Sequence, residues 1–513
     1  MIDPQPVPGF GVIDWTIVGL YFLVTMALGI FITSRQKDSR DYLLGGRRIP
    51  VLAASVSLVA TSLSAVTFIG GPQDAYVGNL TYLSLNIGMI LGIVIVATMF
   101  IPAYYARGVG TVYELVGQDR GGSAQAWTSG MFLLGRVFAS GARLYVAAIP
   151  VSLLLFGDLS VSHMIASVII VTIAAMFYSV GGGITAVIWT DVLQAVVLVS
   201  TAIIAMLILL WRIDLPLGEV FSFLSTATTS SGGSKLALVD TSTSLGNPYT
   251  IWSATIGFTL FAVAAFGTDQ DLAQRLLTCR SGRSGAISAV LSQLISIPVV
   301  LLFLSLGLLL FIYYQHPELV AHPSGHVIDD SRKVFLQFIF TELPTGVRGL
   351  MIAGVLAAAM SSLDSALAAM GSSIVTDFYV PRRPGASDRS RLRVARVASF
   401  SCGILLAAFA CICVAWQDML QEGLIPFALG VMVYAYAGLL AVFVTVLWTR
   451  RGSSLSIPAA LVSGFIVVGV LQWGPKIHES MPVVSLGWRM TAGFVVALLV
   501  CLMGSTSPRS SKA

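Results

Sequence analysis

Charged residues are scarce in this chain: of its 513 residues only 10% are Asp, Glu, Lys or Arg, whereas 56% are hydrophobic. The core of a soluble domain does not account for so high an apolar content. Apolar runs of about 20 residues recur along the chain, and runs of that length cross a bilayer as helices. The sequence therefore predicts an all-α polytopic membrane protein.

The chain is also poor in residues that enzymes, disulfide scaffolds and nucleic-acid-binding proteins use. It has five cysteines, four of which lie in apolar runs, so neither a disulfide framework nor a zinc pattern is visible. It has no embedded histidine pair, nucleophile elbow or paired acid and base that would indicate catalysis. No basic patch is interleaved with aromatics, and no basic region precedes the first apolar run. We expect no enzymatic activity, no nucleic-acid partner and no signal peptide.

Basic residues cluster in alternate loops, most strongly in residues 34–48 and 382–396. Cytoplasmic loops carry the excess of Lys and Arg in membrane proteins. The apolar runs between these loops, from Asp14 to Met503, predict about 13 transmembrane helices. We therefore expect a multi-pass protein of the cytoplasmic (plasma) membrane, with its N-terminus outside and its C-terminus in the cytoplasm.

Omission of the first span and the last two leaves ten helices in two groups of five. Because five is odd, the second group must be inverted relative to the first, as in one large class of secondary transporters. Hydroxyl side chains from Val59 to Thr67 compete for the backbone and predict a break in the first helix of this arrangement, and Gly70 to Pro72 are expected to end it. The predicted divisions are 1–49 (an extra helix and a basic loop), 50–212 (first repeat), 213–248 (extracellular loop), 249–450 (second repeat) and 451–513 (two helices and a short cytoplasmic tail).

One apolar helix, predicted from Ala353 to Asp377, contains the run A-A-A-M-S-S-L-D-S. An ionisable group at membrane depth is costly and marks an ion or substrate path, which singles out Asp364. At about 100° per residue, Ser361 and Ser365 share its face, while Ser361 and Ser362 form a second cluster with the carbonyl of Ala358. Such hard oxygen ligands suit an alkali cation. The alternative for the serines is that they pack helices together.

Several motifs resemble the sodium:solute symporter family. They are G-G-R-R-I-P near Gly45, S-L-V-A-T-S-L-S-A-V-T-F from Ser57, G-P-Q-D-A-Y after it, G-G-G-I-T-A-V-I-W-T-D-V-L-Q from Gly181, and A-A-A-M-S-S-L-D-S from Ala357. The resemblance runs from about residue 14 to at least 450. It implies a LeuT-type fold of two inverted five-helix repeats with about three extra helices, and sodium-driven uptake by alternating access.

The resemblance also implies positions for the bound ions and solute. The first sodium site falls on Ala60, Leu63, Ala358, Ser361 and Ser362. A second site, present in some members, falls on Asp191, Ser361, Asp364 and Ser365. The solute positions are Ser62, Ser64, Thr67, Asn86 and Arg136. Asp364 stands where sialic acid transporters of the family have Ser, so the number of Na+ ions, one or two, stays open. Asn86 replaces a longer Gln, so the solute pocket is not identical to theirs. The alternative for Asp191 is a structural pair with a cytoplasmic arginine.

A buried arginine offers a planar fork to a carboxylate, so Arg136 suggests an organic anion such as sialic acid as the solute. Two alternatives are a pair with a protein carboxylate and a role in shaping the inner vestibule. Arg143 lies seven residues on, on nearly the same face, and Asp74 is a candidate partner for either arginine. The overall prediction is a sodium-coupled symporter that imports a small polar solute across a lipid bilayer. A proton-coupled carrier that uses Asp191 and Asp364, a sodium symporter for a neutral sugar or amino acid, and a membrane sensor stay open.

Overall fold

The computed structural model describes residues 10–33, 44–179, 183–230, 232–420 and 422–505. Most of the basic loop at 34–48, Gly181 and Gly182, and the end of the polar tail lie outside the described residues. The described chain is helical with isolated β-bridges, so the all-α prediction is confirmed. The helices are α1 Val12–Thr33, α2 Val51–Ser62, α3 Ala65–Val77, α4 Thr81–Arg107, α5 Val112–Arg120, α6 Gly122–Phe156, α7 Val161–Ser179, α8 Ile184–Ile213, α9 Leu217–Thr226, α10 Ser253–Thr268, α11 Gln270–Leu277, α12 Gly282–Gln315, α13 Val334–Glu342, α14 Val347–Arg382, α15 Asp388–Leu420, α16 Leu424–Trp448, α17 Ser456–Ile477 and α18 Leu486–Leu502.

The apolar helices in the described part of the chain number about thirteen. Nine are long and apolar enough to cross a bilayer on their own, and the bent pair α2 and α3 makes a tenth. Three shorter apolar helices, α7, α10 and α18, complete the set. The chain is therefore a multi-pass membrane protein, as its composition predicts.

Loops that carry basic residues meet at one end of the bundle, which we call the basic end. Arg47 donates to the carbonyl of Val109 (3.2 Å), and Arg120 donates to that of Thr449 (2.8 Å). The amide of Ile49 donates to the carbonyl of Thr278 (3.2 Å). These contacts bring the segment at Arg47 and Ile49 against the loops at Val109 and Thr278, and Arg120 against the loop at Thr449. The opposite end is called the distal end.

The first helix of the first group of five is broken where the hydroxyl residues predict. α2 ends at Ser62 and α3 begins at Ala65, with a bend of 59° between them. The Ser64 hydroxyl accepts a hydrogen bond from the amide of Val66 (3.3 Å) and caps α3, so a hydroxyl side chain replaces a missing helical bond at the break.

The expected end of this helix at Gly70 to Pro72 is wrong, because α3 continues to Val77. The two glycines serve close packing instead. A Cβ on Gly70 would lie 3.0 Å from Ile425, and one on Gly71 would lie 3.1 Å from Phe303. α3 therefore rests closely against α12 and α16.

The first helix of the second group is broken as well. α10 ends at Thr268, Asp269 is extended (φ −92°, ψ 118°), and α11 begins at Gln270. The side chain of Asp269 caps α11 by accepting from the amide of Asp271 (2.9 Å). Each group of five thus begins with an interrupted helix.

The helices outside the two groups of five are peripheral. α1 packs on α8 and α14, whereas α17 and α18 pack on α16. Asp14 of α1 is buried and accepts from the amides of Gly346 (2.7 Å) and Gly349 (2.9 Å), so it caps the beginning of α14. α1 is thereby attached to the helix that contains the predicted ion ligands.

Candidate ion and solute sites

A central cavity of about 110 Å³ lies at the break between α2 and α3. Four of the five predicted solute residues, Ser62, Ser64, Thr67 and Asn86, line it. Aromatic side chains of α10 form an opposite wall, and α12 and α16 close the sides. The lining beyond the predicted residues includes Tyr82, Met89, Arg143, Phe258, Phe261, Phe266, Ser292, Gln293, Ser296, Ile425, Ala428 and Met432.

The fifth predicted solute residue, Arg136, does not line the central cavity. Its guanidinium pairs with two protein carboxylates, Asp269 and Asp271, the latter at 2.8 Å. Tyr436 also donates to Asp269 (2.7 Å). The side chain of Arg136 is 1% exposed, and both of its charge partners lie at the break between α10 and α11. The structure thus favours the alternative of a pair with protein carboxylates.

Arg143 of α6 is the charged side chain that does line the cavity. Two helical turns, about 10 Å, separate it from Arg136. Its Nη1 donates to the carbonyl of Thr61 (3.1 Å), and its Nη2 lies 3.9 Å from the sulfur of Met432. No carboxylate of the described residues lies within salt-bridge distance of Arg143, and Asp74 lines a different cavity. Sequence spacing placed both arginines on one face, but it did not give their depth.

An amide pair borders the same cavity. Gln293 of α12 donates to the side-chain oxygen of Asn86 (2.9 Å), and Asn86 donates to the carbonyl of Leu83 (3.0 Å). Gln293, Ser292 and Ser296 were not predicted, since they lie in an apolar run without a motif. Their spacing of three to four residues, which puts hydroxyls and an amide on one helix face, is the signal that would have found them.

The first predicted sodium site is partly assembled. The Ser362 hydroxyl lies 3.4 Å from the carbonyl of Ala358 and 3.5 Å from that of Thr61, so α14 meets the helix break at this residue. The break also places Ala60 and Leu63 at the end of α2, where the last carbonyls have no helical partner. The hydroxyl of Ser361, by contrast, donates a hydrogen bond to Asp191 (2.6 Å), a residue of the second predicted site.

Asp191, predicted for the second sodium site, belongs to a buried charge network. Its Oδ2 accepts from Ser57 (2.5 Å) and from Arg275 (3.0 Å), and Arg275 also pairs with Asp271 (2.9 Å). We call Asp191, Arg275, Asp271, Arg136 and Asp269 the five-residue network. Ser365 approaches it through Asp271 (3.4 Å), and Asp364 is buried on the same helix. Arg275 is therefore the arginine with which Asp191 forms a buried pair, as the alternative interpretation of Asp191 requires.

A second cavity, of about 690 Å³, lies at the distal end. We call it the distal vestibule. Its lining includes four carboxylates and one arginine, namely Asp74, Asp330, Asp418, Glu422 and Arg332. Burial opposes ionisation of Asp330, but hydrogen bonds from Arg332 outweigh this and lower the pKa of the carboxyl. Tyr249 of the vestibule and Tyr82 of the central cavity meet edge to face, with ring centroids 5.6 Å apart, so this pair stands between the two cavities.

The basic end is closed by hydrogen bonds among α5, α6, α11 and α14. Asp377 accepts from Thr111 (2.7 Å), Gln125 (2.8 Å) and Ser129 (2.7 Å). Gln270 accepts from the amide of Val112 (2.9 Å). These bonds and the five-residue network lie between the central cavity and the basic end.

The sodium:solute symporter family matches residues 42–463. The chain belongs to this family. It is 26% identical to a sodium/sialic acid symporter of Proteus mirabilis, over 91% of each chain. It is also 26% identical to the human sodium/iodide cotransporter, over 98% of this chain and 76% of that one. A solved sodium-coupled sialic acid symporter in a substrate-bound, outward-open state superposes with a TM-score of 0.80 at 23% identity, covering 96% of this chain and 98% of that one.

Membership of the family decides the general function. The protein is a sodium-coupled symporter with a LeuT-type fold of two inverted repeats, and it is a transporter rather than an enzyme. Sodium is its coupling ion and a small solute its cargo.

Proposed function

We propose that the symporter carries a small organic anion whose carboxylate binds Arg143. The observation that carries this proposal is that Arg143 lines the central cavity with no carboxylate of the described residues within salt-bridge distance, whereas Arg136 pairs with two. A buried guanidinium without a counter-ion is unfavourable unless a ligand supplies one. An anion in the cavity supplies that charge in a planar, bidentate form.

The size and walls of the cavity support a short acid. A cavity near 150 Å³ admits benzene, which has six heavy atoms, so one of about 110 Å³ suits a ligand of roughly four or five heavy atoms. The hydroxyls of Ser292 and Ser296 and the amide of Gln293 suit a hydroxyl or keto group beside the carboxylate. Sialic acid and iodide, after which the relatives are named, are both anionic at neutral pH. We therefore propose that the solute is a short monocarboxylate rather than a sugar acid.

For sodium we propose the first site, at Ala60, Leu63, Ala358, Ser361 and Ser362. Support comes from the Ser362 hydroxyl, which reaches the helix break, and from oxygens that match a hard cation. A second ion at Asp191, Ser361, Asp364 and Ser365 would compete with Arg275 for the Asp191 carboxylate. One coupled ion is therefore the proposal.

The orientation follows from charge. We propose that the basic end faces the cytoplasm of a plasma membrane, with the N-terminus outside and the C-terminus inside, because basic loops stay on the cytoplasmic side. The repeats are proposed to span residues 50–212 and 249–450. In this orientation the distal vestibule opens to the exterior.

Uptake by the purified protein in liposomes tests the proposed solute class. Labelled short monocarboxylates, sialic acid, proline and a neutral sugar are offered with and without an inward sodium gradient. We expect sodium-dependent accumulation of a short acid, and we expect Arg143→Ala to reduce it at least tenfold while Arg136→Lys retains it. Accumulation of a neutral solute that survives Arg143→Ala would contradict the anion proposal, and uptake that follows a pH gradient and ignores sodium would contradict sodium coupling.

A further inference from the structure

The guanidinium of Arg143 and the hydroxyl of Ser362, a residue of the proposed first sodium site, contact the same backbone oxygen. Arg143 Nη1 lies 3.1 Å from the carbonyl oxygen of Thr61, and the hydroxyl of Ser362 lies 3.5 Å from the same atom. Thr61 belongs to the last turn of α2, where carbonyls have no helical amide to bond. A side-chain cation therefore lies at the edge of a site that is proposed to hold a metal cation.

A sodium ion in this site and the guanidinium of Arg143 repel each other. The region is buried, Arg143 being 8% exposed and Ser362 1%, so solvent screens their repulsion weakly. Arg143 has a second position available, because its flexible stem lines the central cavity and its Nη2 already faces Met432 there. In the cavity, the guanidinium loses the carbonyl and needs a new acceptor.

We propose that Arg143 couples the ion to the solute by holding the Thr61 carbonyl in the sodium-free protein and binding the solute carboxylate once sodium occupies the helix break. The inference rests on the proposed function, since it requires an anionic solute and the first sodium site. Sodium favours the arginine in the cavity, and the anion neutralises a charge that opposes sodium. Each ligand then tightens the other by the same factor.

Sodium binding in the absence of solute tests the proposal directly. Purified protein is titrated with NaCl against choline chloride, and the concentration for half-maximal thermal stabilisation is measured. We expect Arg143→Gln to lower this concentration at least about tenfold, because a competing cation is gone. Arg143→Lys keeps a positive charge and should stay within about twofold of wild type. Where Arg143→Gln yields no folded protein, Arg143→Met neutralises the position with a side chain that packs against Met432.

A matched control is Arg489→Gln, which removes a buried arginine of α18 outside the central cavity. Its sodium affinity should equal that of wild type. Unchanged sodium affinity in Arg143→Gln, or an equal gain in Arg143→Lys, would overturn the coupling role. Loss of anion uptake with unchanged sodium affinity would overturn coupling alone, whereas retained anion uptake in Arg143→Gln would overturn the proposed function and coupling with it.

Discussion

Single side chains at membrane depth in this protein are distinguished by their charge partners. Arg136, Arg275 and Asp191 are buried and matched within the five-residue network, whereas Arg143 bonds a backbone carbonyl and faces a cavity. An embedded charge is a functional candidate by default. The partners of such a charge indicate whether it stabilises the fold or binds a ligand.

Asp191→Asn tests the number of coupled ions. Because Asp191 pairs with Arg275, its neutralisation should destabilise the protein by about 3–5 kcal/mol, the cost of breaking a buried pair. The sodium dependence of uptake should keep a Hill coefficient of about 1 in wild type and variant. Unfolding in detergent and sodium titration of uptake measure the two quantities. A coefficient near 2 in wild type that falls to 1 in Asp191→Asn would restore the second site.

Sequence reasoning was effective where a residue type alone fixes the chemistry. The hydroxyls from Val59 to Thr67 predicted the helix break, and Ser62, Ser64, Thr67 and Asn86 reached the cavity. It was not effective for Arg136, since the sequence shows the helix face of an arginine but not which carboxylate from residue 269 or 271 meets it. That contact depends on a second break in the chain about 130 residues later, at Asp269.

At the scale of helices and loops, the distal end of α3 is capped by a residue from another part of the chain. Lys235 is 1% exposed, donates to the carbonyls of Tyr76 (2.7 Å) and Ala75 (3.4 Å), and lies 4.0 Å from the ring centroid of Phe311. Cations favour helix C-termini, where carbonyls lack partners. Lys235 therefore fastens the loop before α10 to both α3 and α12.

Lys235→Met should release this loop. It leaves two buried carbonyls without a donor, which costs about 1–3 kcal/mol, and it should speed hydrogen exchange in residues 227–250. Mass spectrometry of exchanged peptides measures the effect. Lys333→Met is the control, because Lys333 pairs with the exposed Asp329. Equal exchange in wild type and Lys235→Met would show that the loop is held elsewhere.

At the scale of the whole molecule, alternating access requires the basic end to open, and polar bonds hold it closed. The five-residue network links α6, α8 and α11, and Ser57 adds α2. Since the network is built of charges rather than apolar contacts, water entering from the basic end can solvate its members. When the basic end opens, water therefore replaces the protein partners of the charges in the network, and these charges are not left without hydrogen bonds.

Arg136→Met should weaken this closure. It leaves Asp269 and Asp271 with fewer partners, so we expect faster hydrogen exchange in α5 and α11, with anion binding retained. Arg489→Met serves as the control, since it removes a buried arginine of α18 that lies outside the network. Loss of anion binding without a change in exchange would return Arg136 to the solute site.

In the proposed orientation, the distal vestibule affects sodium and the proposed anionic solute in opposite ways. With four carboxylates and one arginine around it, the passage to the central cavity carries a negative potential. Such a potential accelerates the arrival of sodium and slows that of an organic anion, and dissolved salt weakens both effects. The entrance therefore favours an order of events, in which the cation enters first and lowers the electrostatic barrier that its companion must cross.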